Sequence, residues 1–472
     1  MGEGRDRDPA IARFVLVGDC CSGIVGGPHE RTFAAISKQI EALAPEPDFL
    51  CFLGDHIDGL TEDESTLREQ WDHWLNVEFR WVKDRALRTY HLASNHITYS
   101  AMSRRVFREL FAELPWNGPG GSDAANYYVL RGELLLIFTD IGGAQQEAPE
   151  PTLDWIARIL DLHRDVPFKL VLGHYPILPV NGYARYPMWR LEPRIGDAIW
   201  RLLKERRVLA YVCSHVIAYD ARARDGVLQI CSGGAGTRYG PTGDFMRGDS
   251  EFFHFLLCHL DGDGLRCRAI DEKGRPRGRL QWPLAKWANS AVQAPVRPKT
   301  RIPDNECRFR VAFKIDQTAD DGRVTLPGRE TLLCGFDDDE GPPTLWIGRE
   351  QRQLVVEVVL WPGGPVGRWT CAFPTDHEGF AVEFIPEMGP GGVLIASAGG
   401  GYSSLSSYVA EGFDRVRWPG NWREGRGPSG STDDPFPGQV AATLTVMDPV
   451  GREESGVARR SRAVTTELLH GP

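Results

Sequence analysis

Short apolar runs ending on a small residue and then a polar one recur through the first half of the chain. Phe14-Val-Leu-Val-Gly-Asp19, Asp48-Phe-Leu-Cys-Phe-Leu-Gly-Asp55, Lys169-Leu-Val-Leu-Gly-His174 and Val208-Leu-Ala-Tyr-Val-Cys-Ser-His215 share this form. Thr89-Tyr-His-Leu-Ala-Ser-Asn95-His96 is a fifth, ending on an amide and an imidazole. Runs of this length without alternation predict buried strands, and the polar residue then sits at the carboxyl edge, where α/β sheets bind ligands. Helical spacing separates them: Phe33, Ile36, Ile40 and Leu43 within residues 31–43, then residues 102–114, 152–163 and 194–206. Leu67, Trp71, Trp74, Leu75 and Trp81 predict a further helix whose aromatic face packs inward. Residues 127–140 predict a hairpin turning at Arg131-Gly-Glu, and residues 252–270 another through Asp261-Gly-Asp-Gly.

Beyond residue 287 the pattern changes. Residues 288–304, with three prolines and no periodicity, predict a linker. Short β-type runs follow (307–315, 331–336, 344–347, 354–360, 379–385, 392–397 and 440–446), separated by Gly, Pro and Asp. They predict an all-β sandwich or jelly roll over 305–450. The expected organisation is therefore an N-terminal tail (1–10), an α/β domain (11–287), the linker, the β domain and a charged C-terminal tail (451–472). A chain of 472 residues is too long for one core, which agrees with two domains.

Composition narrows the partners. A formal net charge of −10 with no long Lys/Arg run gives no nucleic-acid signature and argues against an anionic membrane. No apolar run reaches spanning length, and residues 1–10 lack an apolar segment, so no membrane and no signal peptide are expected. The ten cysteines lie in strand-like runs without a repeated short spacing, which fits buried free thiols and a cytoplasmic protein.

Asp55, Asn95, His174 and His215 offer a carboxylate, an amide oxygen and two imidazoles, a donor set suited to Mn, Fe or Zn. One or two such ions could make a water nucleophilic and relieve charge on a phosphoryl group. Each residue also has a plainer reading: Asp55 and Asn95 as turn residues, His174 and His215 as hydrogen-bonded core histidines.

Asp19, Gly54-Asp55-x-x-Asp58, Asn95-His96, Gly173-His174 and Ser214-His215 together resemble the ordered signature of the calcineurin-like metallophosphoesterases. Phe14-Val-Leu-Val-Gly-Asp, Gly173-His-Tyr-Pro and Ser232-Gly-Gly-Ala-Gly resemble the purple (tartrate-resistant) acid phosphatase branch most. The resemblance covers about residues 11–280. It implies an αββα sandwich of mixed sheets and hydrolysis of a phosphomonoester or phosphodiester by a metal-bound hydroxide, with a small phosphorylated substrate and one or two ions per chain. It further implies that Asp55 bridges two metals, that Asn95, His174 and His215 complete the second, that Asp19 serves the first, and that His96 stabilises or protonates the leaving group.

The departures fall on one metal. Cys21 and Ile217 stand where the family has histidines, and Asp58 where the purple branch has tyrosine. The second site is therefore expected intact and the first weakened, rebuilt or absent, without a purple tyrosinate. Cys21 reads as a small buried hydrophobe or a thiolate ligand, and Asp58 as a structural acceptor or a remaining ligand. His29 is a candidate phosphate contact or an exposed loop histidine, and Arg238 a candidate phosphate contact. The losses also admit an inactive binding protein, or a lyase or other hydrolase on the same scaffold. Residues 345–350 and 353–358 faintly resemble strands of concanavalin-like and laminin-G sandwiches, which implies a role for the β domain in oligomerisation, glycan binding or shaping the cleft. Gly391–Tyr402 lacks the Lys-Ser/Thr ending of a phosphate loop and is read as a loop or bulge.

Overall fold

The computed structural model describes residues 11–119, 125–141, 150–180, 189–237 and 252–283, and beyond these mainly the strands of a second unit. The chain divides after Pro283 into two compact units, residues 223–225 grouping with the second.

The first unit is an α/β sandwich of two six-stranded mixed sheets. In one sheet β1 (Ala12–Val17), β2 (Phe49–Phe52) and β3 (Thr89–His91) run parallel. In the other, β4 (Tyr127–Arg131) and β5 (Leu134–Thr139) form the expected hairpin. There β5 continues in parallel with β6 (Phe168–Gly173), β7 (Ala210–Cys213) and β9 (Val227–Ser232), with β8 (Tyr219–Arg224) outermost. The hairpin of β10 (His254–Asp261) and β11 (Gly264–Asp271), followed by β12 (Pro276–Trp282), closes the first sheet antiparallel to β1. The central strands read as unbroken apolar runs because both of their faces are covered: Val15, Leu50, Leu172 and Val212 are all fully buried.

Helices α1 (Glu30–Glu41), α4 (Ala101–Leu110), α5 (Glu150–Leu162) and α6 (Pro193–Glu205) match the helical spacing. The Trp-rich segment differs from the single helix expected. α2 (Glu64–His73) passes into a π-helical turn, Trp74–Glu78, before α3 (Arg80–Asp84). Trp71 and Trp74, three residues apart on one helical face, are both fully buried, edge to face at 5.8 Å.

In the second unit two sheets, antiparallel but for one short parallel pairing at Glu330–Thr331, carry the β-type runs. Arg308–Asp316 pairs with Gln439–Met447 on one side and Phe380–Phe384 on the other. Arg329–Phe336, Leu345–Glu350, Gln353–Val359 and Val366–Ala372 form a meander. Val292–Pro295, inside the stretch read as a linker, is a strand paired with the same Gln439–Met447 segment. Val393–Ser397 is a strand, as the β-type run at 392–397 predicts, although it lies within the glycine-rich stretch also read as a loop or bulge. The eight described cysteines are buried and unbridged. Among the described residues no helix is long and apolar enough to cross a membrane.

Two histidines lie inside the aromatic core under β2 and β3. His56 stacks on Phe52 at 4.1 Å and His91 on Phe111 at 4.0 Å, with His56 Nε2 3.0 Å from His91 Nδ1. Burial pushes His56 well below the usual imidazole range and His91 down to about 3. The unfolded chain takes up these protons from about pH 6.5, so the pair's contribution to stability is complete above that pH and is lost as pH falls toward 3. Ring ¹⁵N shifts of His91 in the folded protein should stay those of a neutral imidazole from pH 7 down to about pH 5. A protonated pattern at about pH 5.5 in still-folded protein would contradict this.

Candidate metal centre

The parallel strands of both sheets end on one rim, and the chain delivers its polar residues there. Asp19 follows β1, Asp55 follows β2, Asn95 and His96 follow β3, His174 follows β6 and His215 follows β7. Asp19, Cys21, Asp55 and His215 all have positive φ, between 41° and 66°. Such a conformation is costly for residues with a Cβ and persists where surrounding bonds enforce it. Here Asp19 N donates to Gly54 O and Cys21 N to Asp55 O, while Asp55 N donates to Ser94 Oγ.

Asp55, His174 and His215 converge. Asp55 Oδ2 is 3.2 Å from His174 Nε2, which is 3.3 Å from His215 Nδ1. Ligand atoms about 2.1 Å from a shared ion sit roughly 3.0–3.4 Å apart in octahedral or tetrahedral arrangements, so this spacing fits one cation. His174 Nδ1 donates to Leu53 O at 2.9 Å, which leaves Nε2 for the site. Ser214 Oγ donates to the same carbonyl and lies 3.0 Å from the same Nδ1. Tyr175 and Trp189 pack on the His215 ring at 4.0 and 5.3 Å.

The fourth expected ligand offers an independent sign. Asn95 Oδ1 is buried and has no hydrogen-bond partner. A buried amide oxygen without a donor is disfavoured by about 1–3 kcal/mol, and a cation would relieve that cost. The donor set and the orphaned oxygen thus both fit a divalent ion.

Asp55 is 3 % exposed. Burial alone would raise its pKa, but His174, His96 and His215 together hold it well below the usual carboxylate range. Burial opposes protonation of His174, yet Asp55 and Asp19 raise it to about 9. Asp19 is pushed up to about 7, first by burial, with His174 opposing and Asp55 adding. Its Oδ2 accepts from His215 N at 3.2 Å, which links the ends of β1 and β7.

The remaining predicted residues fall around this core. His96 Nδ1 donates to the main-chain oxygen of Asp58 at 2.6 Å, and His96 Nε2 lies 4.0 Å from Asp55 Oδ2. Ile97, the next residue, is fully buried, and the Asp58 carbonyl orients the His96 imidazole. Cys21 Sγ, an Asp55 oxygen and a His96 nitrogen lie within 4.8 Å of one another. Burial, with Asp55 and Asp19 adding, pushes the Cys21 thiol well up. His29 is buried rather than exposed, because its Nδ1 donates to Cys21 O at 2.9 Å beneath the start of α1. Arg238 lies outside the described residues.

Sequence reasoning missed the hydroxyls that fasten the rim: Ser94, Ser214 and Thr237, whose Oγ1 donates to Asp19 O at 2.5 Å. Ser214 stands beside a ligand in the chain, which was a signal; Thr237 gave none. Arg104, on α4, bonds Asp140 Oδ2 at 3.1 Å and Thr98 O at 3.1 Å, which steadies the loop behind His96.

Residues 12–219 match the model of the family described as calcineurin-like phosphoesterase. Proteins with such domains use divalent metals, and the convergent groups above are candidate ligands. Among solved structures, the anchor of the inner membrane complex of Plasmodium is 15 % identical, with 58 % of this chain and 89 % of that one covered and a TM-score of 0.44. A dimetal phosphatase from Danio rerio is 14 % identical (56 % and 97 % covered, TM-score 0.43). A purple acid phosphatase from yellow lupin seeds is 14 % identical (56 % and 52 % covered, TM-score 0.42). No match was found among curated proteins.

Gly54 lets the β2 end pass under the second sheet. At φ 101°, an added Cβ would lie 2.6 Å from His174 Nδ1 and 2.6 Å from Ser94 Cβ. Gly54→Ala should lower the unfolding free energy by about 2 kcal/mol or more, read as a shift in the urea midpoint. An unchanged midpoint would show that the rim tolerates what this packing forbids.

Proposed function

We propose that the chain is a metal-dependent phosphoesterase that hydrolyses a small phosphorylated substrate. The observations that support this reading are the convergence of Asp55, His174 and His215, the buried Asn95 oxygen without a hydrogen-bond partner, and the match of residues 12–219 to the calcineurin-like phosphoesterase family. Asp55, Asn95, His174 and His215 would hold a divalent ion of the Mn, Fe or Zn class, which when bound would supply a nucleophile at neutral pH and charge relief on the phosphoryl oxygens.

The chain's own groups do the rest. Asp55, kept ionised by its imidazole neighbours, supplies the negative charge that retains the cation. Leu53 O and Ser214 fix the tautomer and plane of His174. His96, turned by the Asp58 carbonyl, has Nε2 on the Asp55 side and can give a proton there to a departing oxygen. Asp19 and Cys21 remain as donors on the first-metal side, while Ile217 offers none, so we assign the chemistry chiefly to the second-metal side. His29, engaged with Cys21 O, is a positioning residue of that loop in this reading.

Protein loaded in turn with Mn(II), Fe(II) and Zn(II) should cleave a chromogenic phosphate ester. His174→Ala and Asn95→Ala should reduce turnover to background. His96→Ala should lower kcat by about 100-fold or more while leaving metal content unchanged. Turnover that survives both ligand substitutions would remove the proposal.

A further inference from the structure

A second cluster of metal-type side chains lies on the far side of the loop that carries Cys21. In an α-helix, residues five apart point about 140° away from each other. The π turn after α2, closed by Phe79 N donating to Trp74 O at 2.8 Å, is wider and brings such residues toward one face. His73 and Glu78 therefore meet: His73 Nε2 is 3.4 Å from Glu78 Oε1 and 3.0 Å from Glu30 Oε1, at the first residue of α1. Ligand atoms of all three lie within 4.8 Å of one another.

The cluster is short of positive charge. One imidazole nitrogen faces two carboxylates, and a single N–H cannot serve both. With both carboxylates ionised, even a protonated ring leaves the trio with a net negative charge beside Glu78, whose side chain is 2 % exposed and whose ionised form burial disfavours. Glu78 Oε1 is satisfied by Ser22 Oγ at 2.7 Å and Gly23 N at 3.2 Å, but Oε2 is buried with no hydrogen-bond partner.

We propose that Glu30, His73 and Glu78 bind a divalent transition-metal cation, separate from the Asp55 centre and structural in role. Two carboxylates and one imidazole suit Mn(II) or Zn(II), and two positive charges balance the two carboxylates. The ion fastens the loop between Cys21 and His29 to α1 and the π turn, because Ser22 and Gly23 bond Glu78 while Gly26 N bonds Glu30 Oε2 at 2.7 Å. The site stands independently of the phosphoesterase reading.

The test is equilibrium dialysis of the full chain against Zn(II) alone, with thermal unfolding as a second readout. A His174→Ala,His215→Ala variant should still retain one equivalent, and added Zn(II) should raise its unfolding midpoint. Adding Glu30→Gln, a half-buried position that spares the core, should weaken that equivalent at least about tenfold and abolish the rise; His73→Gln should do the same. Failure of the Asp55 centre alone would leave wild type and the double variant with the same single equivalent, still lost with Glu30→Gln. Zn(II) binding and the midpoint rise unchanged by both Glu30→Gln and His73→Gln, or no retained equivalent in the double variant, overturns the proposal.

Discussion

A carboxylate removed from water has to be surrounded by compensating charge, and Asp55 sets that requirement for the whole first unit. Its side chain is almost wholly buried, yet imidazoles from the ends of β3, β6 and β7 keep it ionised. Meeting the requirement takes strands from two different sheets arriving at one rim. The sandwich therefore does more than bury apolar surface: it brings residues as far apart in sequence as Asp55 and His215 to neighbouring positions around one acceptor.

The local costs are consistent with that demand. Asp19, Cys21, Asp55 and His215 hold left-handed backbone after the strands, and Gly54 leaves no room for a methyl group beneath His174. The bonds that offset these costs are made by small hydroxyls and main-chain carbonyls, such as Ser94 on Asp55 N and Leu53 O on His174. The same holds at His96, where the Asp58 main-chain oxygen orients the imidazole.

Much of this was legible in the sequence. The buried parallel strands announced themselves as unbroken apolar runs, and the residues that follow them gave the candidate ligands directly. Asp55, His174 and His215 meet, and Asn95 keeps an unbonded oxygen buried. What escaped the sequence depends on backbone hydrogen bonds or on contacts with no periodic signal. The π turn at Trp74–Glu78 looks like ordinary helix in a hydropathy pattern, yet it decides that His73 and Glu78 share a face. His29 looked exposed because its loop is rich in glycine and proline, but its ring turns inward to Cys21. Val292–Pro295 hid within a proline-rich stretch because an edge strand tolerates proline.

Crystals soaked in Mn(II) or Zn(II) and measured at the metal absorption edge give the most direct view of the central claim. An anomalous peak should appear about 2.0–2.3 Å from Asp55 Oδ2, Asn95 Oδ1, His174 Nε2 and His215 Nδ1 together. A map with no peak among those four atoms, or with the Asn95 oxygen turned away from a bound ion, would contradict it.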